Sequence, residues 1–119
     1  MHRISVEDDG SAGAVSKVEL TATVTAPDGL TGLGDGRFLI VEGGGLTAGA
    51  RGALLGITLH DGKATVEMIS PDLNVPTTAV VIGDTAYVVE GQLDHLFDPK
   101  AGPADPYQIL TIKLPEAYR

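Results

Sequence analysis

"APDGLTGLGDGRFLIVEGG" occupies Ala26–Gly44, and "VPTTAVVIGDTAYVVEGQ" occupies Val75–Gln92. Each carries a proline, an apolar run, a Gly-Asp turn, a second apolar run and then Val-Glu-Gly. Gly34-Asp35 and Gly83-Asp84 lie 49 residues apart, and Glu42-Gly43 and Glu90-Gly91 lie 48 apart. One deletion in the turn relates the two stretches. Further motifs recur around them: "HRISVEDDG" (His2–Gly10), "GITLHDG" (Gly56–Gly62) and "ILTIKLP" (Ile109–Pro115), then "SKVELTATV" (Ser16–Val24) and "KATVEMIS" (Lys63–Ser70). The chain is an internal repeat.

Within each unit the signals are those of antiparallel strands. "GDGR" and "HDGK" place Asp-Gly between short apolar runs, the strongest short-range hairpin signal. "SKVELTATV" and "KATVEMIS" alternate in polarity, as half-exposed strands do. "FLIV" and "YVV" do not alternate and read as strands covered on both faces. No window keeps a 3.6-residue period, which argues against helices. Four strands per unit of about 50 residues fit a β-propeller blade.

With a blade's strands lettered A to D outward from the axis, the chain reads C, D, then A, B, C, D, then A, B, C. Residues 1–24 form C and D of a preceding blade, 25–71 a complete blade, and 72–119 strands A to C of the last. The expected fold is therefore all-β, roughly two four-stranded antiparallel blades. A small β-sandwich is the alternative. Propellers close with four to eight blades. Two blades need partners, either the missing N-terminal blades or further copies of the chain in a homo-oligomer, and three copies would make six.

Composition narrows the function. The net charge is −8, with eight scattered Lys and Arg, so a nucleic-acid surface is not expected. Cysteine is absent, which removes disulfides, zinc ribbons and thiol catalysis. The apolar runs are too short to span a bilayer, and "MHRISVEDDG" lacks the apolar core of a signal peptide. No membrane partner is expected, and a cytoplasmic location is favoured.

Alternating connections place the tight Gly-Asp hairpins at one end of the sheets and the long loops at the other. Long loops on a rigid scaffold carry function, so Asp28, Glu42, Glu90, Asp94, His95 and Asp98 fall on one functional rim. Asp28 begins an A strand beside the central channel, where carboxylates from several blades would converge on a hard cation. Its counterpart is Thr77, so an ordinary blade turn does not demand the carboxylate. Glu42 and Glu90 both end B strands before glycine, which suits a shared task such as capping loop N–H groups, with substrate contact as the rival role. The Asp94-His95 pair could supply a general base.

"PDGLTGLGDGRFLIVEGG" followed by "GALLGITL" resembles a blade of the gluconolactonase, regucalcin and senescence-marker-protein family. "PTTAVVIGDTAYVVEG" is similar to that family's last blade. The likeness spans the chain and corresponds to about the C-terminal third of a six-bladed propeller. It implies a divalent cation (calcium first; zinc, manganese or magnesium otherwise) ligated by Asp28, which would thereby be catalytic. Glu42, Glu90 and His95 would contact a small sugar-type lactone or ester. The family's remaining ligands, a glutamate and an asparagine, lie in earlier blades, and Asn74 does not match that asparagine.

Overall fold

The computed structural model describes residues 1–119. Its strands are β1 (His2–Val6), β2 (Ala12–Lys17), β3 (Glu19–Leu20), β4 (Pro27–Gly34), β5 (Arg37–Glu42), β6 (Gly52–His60), β7 (Lys63–Leu73), β8 (Pro76–Ile82), β9 (Thr85–Glu90) and β10 (Gln108–Lys113). One helical turn, α1 (Asp94–Phe97), interrupts the loop before β10, and 3-10 turns follow at Pro99–Ala101 and Glu116–Tyr118. The strands form three open sheets in the orders β1-β2, β3-β7-β6-β5-β4 and β10-β9-β8. The protein is all-β.

Turn chemistry sets the hairpins. Asp35 and Gly36 both have positive φ (50° and 72°), as do Asp61 and Gly62 (49° and 78°), the geometry of a type I′ turn. At Gly83-Asp84 only the glycine is positive, at 62°, yet this loop also has two residues, so the deletion expected in the turn does not lie in the turn itself. The extra residue in the first repeat is absorbed by an irregularity between Gly32 and Gly34.

β5 bears out the non-alternating reading of "FLIV". Leu39 and Val41 face the β8–β10 sheet with Leu54, Ala79, Ala86 and Val88, while Ile40 faces the other way with Val18, Leu55, Ile57 and Ala64. "YVV" behaves differently. Val88 is fully buried, but Tyr87 and Val89 are only half-buried, because nothing in the chain layers over the outer face of β8–β10. The two sheets meet along β4 and β8, where Thr31 Oγ1 donates to the Ala79 carbonyl at 2.7 Å. A Cβ on Gly29 would sit 2.8 Å from the Thr77 carbonyl oxygen, so this crossing requires glycine.

The N-terminal segment departs from expectation. A strand was anticipated over Ser16–Val24; instead β2 ends at Lys17, and β3 leaves the hairpin to lie parallel to β7. The segment buries Val18 and packs the partly buried Leu20 and Val24 on the second face of the large sheet. That adds a tenth strand to the nine expected. No helix is long and apolar enough to cross a membrane.

Candidate rim site

The repeat reappears as two matched latches. The Glu42 Oε1 accepts a hydrogen bond from the Thr25 N–H, and the Glu90 Oε1 accepts one from the Asn74 N–H at 2.6 Å. One residue on, the Gly43 N–H donates to the Ala26 carbonyl and the Gly91 N–H to the Val75 carbonyl, each at 3.0 Å. Ala26 and Val75 are left-handed, with φ of 46° and 44°. A non-glycine residue there is uncommon and β-branched Val75 is a conformational outlier, so each latch closes over a left-handed entry into β4 or β8. Both glutamates are engaged with backbone in the capping role, leaving one carboxylate oxygen each for other partners.

Gly44 and Gln92 follow the latches at equivalent positions, and both have positive φ (78° and 48°). Glycine adopts this freely. Gln92 is held there by its own side chain: Nε2 donates to the Asp105 carbonyl at 3.1 Å, and Oε1 accepts from the Asp105 N–H at 2.9 Å. Gln92 is 3% exposed. Sequence reasoning passed over it, although the change from Val-Glu-Gly-Gly to Val-Glu-Gly-Gln was the visible signal.

Asp98 joins two of the long loops. Its carboxylate accepts from the Ala48 N–H and the Lys100 N–H, both at 2.9 Å. These bonds, Ala48 first, hold its carboxyl below the usual aspartate value. The loops before β4, after β5, before β8 and after β9 thus gather at one end. They enclose a cavity of about 200 Å³ walled by Ala26, Asp28, Gly43, Leu46, Val75 and Leu93. Asp28 also borders a second cavity of about 240 Å³, formed with Met1, Leu20, Val24, Leu30 and Ile40. Its side chain is exposed on the ridge between the two.

The remaining candidates are not brought to Asp28. The His95 Nδ1 is 3.1 Å from the Gly102 carbonyl oxygen. A carbonyl only accepts, so in this contact Nδ1 carries a proton and donates it to Gly102. His95 lines a separate cavity with Leu96 and Tyr107. Asp94 and His95 make no hydrogen bond to each other: the His95 ring meets the Gly102 carbonyl, while Asp94 is 2% exposed with its Oδ1 buried without a partner. His60 is exposed beside Asp61, and the remaining ion pairs join Arg37 to Asp35 and Lys113 to Asp84.

A cation site at Asp28 needs further donors. No group of three or more His, Asp or Glu side chains is arranged to hold a metal ion. Asp28 offers one carboxylate, so this chain's residues alone do not make the three-ligand site that the resemblance implies. No family model, curated protein or solved structure matches the chain.

Proposed function

We propose that the chain is two neighbouring blades of a lactonase-like β-propeller, with the cavity beside Asp28 as its small-molecule site. The carrying observation is the pair of latches: both sheets begin and end their inner hairpins alike, and β4 lies beside β8 as inner strands of adjacent blades would. In this reading Asp28 and Thr77 occupy equivalent places, and only Asp28 adds charge at the axis.

The cavity walls are mostly apolar and backbone, with one carboxylate. That suits a small neutral molecule with a hydroxyl for Asp28 to accept from, such as a sugar-type lactone or ester. Hydrolysis would require donors that a completed ring brings to Asp28, and a divalent cation there would polarise the carbonyl. A non-catalytic binding scaffold is the second reading. It is favoured by the engagement of Glu42 and Glu90 with backbone N–H groups rather than with the cavity.

Calcium titration by calorimetry, paired with a lactone and ester panel, separates these readings. The lactonase reading expects calcium heat that Asp28→Ala abolishes, together with turnover. Ligand binding without calcium heat or turnover supports the scaffold. Neither heat nor ligand binding, with the protein folded, removes the rim site.

A further inference from the structure

The sheet edges are unequally guarded. β3 pairs with β7 only at Lys63 and Ala64, and beyond them β7 carries Glu67, Pro71, Asp72 and register breaks against β6. β4 carries Pro27 and register breaks at Pro27–Leu30 and Gly32–Gly34, and its contact with β8 occupies both. β10 has none of these protections. It pairs with β9 in unbroken register over six residues, contains no proline or glycine, and its one charge, Lys113, is 2.5 Å from Asp84. A regular edge of this kind, free of proline and with its single charge paired, is a template for another strand.

Two apolar surfaces lie open as well. Val80, Ile82 and Ile109 on the β8–β10 sheet are 55%, 66% and 65% exposed, and Ile4, Val6 and Val15 on the β1–β2 hairpin are 55%, 75% and 65% exposed. The chain exposes 7165 Å², against about 6,100 Å² for a compact monomer of this mass. The excess, about 1,000 Å², is close to the ~800 Å² that each partner buries in a standard interface. The radius of gyration, 15.7 Å, likewise exceeds the ~13.5 Å of a compact domain.

We propose that a second copy of this chain covers the edge, its β2 adding antiparallel to β10 to extend the sheet as β8-β9-β10-β2. Charge selects β2 over β1. An antiparallel β2 brings Lys17 to the end where Gln108 pairs with Glu90 and Asp105 lies upstream. An antiparallel β1 would instead bring the Glu7–Asp9 turn to those acids. Both β2 and β10 are six residues long. Opposed end to end, Val15 meets Leu110, whose half-buried side chain already packs on the main core, and Ser16 meets Ile109. The contact uses different surfaces on the two copies, so it repeats head to tail into a ring or closes reciprocally as a dimer. It depends on neither the propeller nor the cation reading.

Light scattering of the intact protein over a wide concentration range is expected to give a whole-number multiple, twofold or more, of 12.2 kDa. Because the chain has no cysteine, mixing Ser16→Cys protein with Ile109→Cys protein under mild oxidation tests the pairing directly. The mixture is expected to form a disulfide-linked pair with one chain of each. Ser16→Cys mixed with Lys63→Cys is expected to form none. Val15→Pro is expected to return the mass to 12.2 kDa with circular dichroism unchanged; if it disturbs the hairpin, the cross-link remains the readout. A mass of 12.2 kDa throughout overturns the proposal. So does an oligomer whose Ser16→Cys and Ile109→Cys chains cross-link no better than the control.

Discussion

At positions 42 and 90 a glutamate performs one task twice, and the two contacts differ mainly in burial. The Glu90–Asn74 bond is partly buried, whereas the Glu42–Thr25 bond is exposed. Hydrogen bonds to charged groups contribute about 1.5–3 kcal/mol where water is excluded and less where it competes. Glu90→Ala is therefore expected to lower unfolding stability by about 1.5–3 kcal/mol, with a smaller loss for Glu42→Ala, measured by urea denaturation. Equal effects, or none, would dissociate the latches from the left-handed entries at Ala26 and Val75. Tyr118 gives a second test. Its ring fills the space over Gly56, and its hydroxyl donates to Glu67 Oε2 at 2.5 Å. Burial first, then the Glu67 carboxylate, pushes the phenol above 10.0. Below the unfolded phenol's pKa both states keep the proton and its contribution is intact. As pH rises through the higher folded value, the unfolded chain ionises first and stability falls. The intact protein is expected to lose stability above about pH 10 more steeply than Tyr118→Phe, and parallel pH profiles would refute this.

The hairpin elements were legible because their signals are local. Asp-Gly turns and flanking apolar runs lie within a few residues of one another, and β4–β5, β6–β7 and β8–β9 fall where those signals put them. The covering of β5 on both faces was legible for the same reason: an unbroken Phe38–Val41 run has no polar side to offer solvent. β3 and α1 were not legible, since a two-residue parallel pairing and a single helical turn exist only through what they touch. The close approach of β4 and β8 belongs to this scale too. Gly29→Ala would drive a Cβ to 2.8 Å and 2.9 Å from backbone atoms of Thr77 and Thr78. Overpacking against backbone costs about 1–3 kcal/mol, so a Tm drop is expected, while Gly10→Ala in the open hairpin turn is strained only by its φ of 83°. An unchanged Tm for Gly29→Ala would mean that the sheets can separate there freely.

Across the whole molecule, protection is expected to follow burial. Amide exchange should be slowest in β5, β6 and β9, which hold Leu39, Leu54, Ile57 and Val88 at 1% exposure or less, and fastest in β1–β2, whose residues are almost all exposed. Hairpin protection equal to that of β6 in a dilute single copy would contradict this ranking. The rim was partly legible at this scale: alternating connections put the long loops at one end, and the structure gathers four of them around Asp28. It did not bring His95 or Asp94 to that cavity, because their positions depend on how α1 folds back and how Gln92 clamps Asp105. The amino-acid order alone determined the repeat, the turns, the strand alternation and the end at which the loops lie, since each follows from periodicities and turn preferences of near neighbours. Only the tertiary structure decided which carboxylates are spent on backbone N–H groups, which face of each sheet is covered and which edge stays open. Those outcomes arise from contacts between segments dozens of residues apart, where packing and hydrogen-bond satisfaction outweigh local preference.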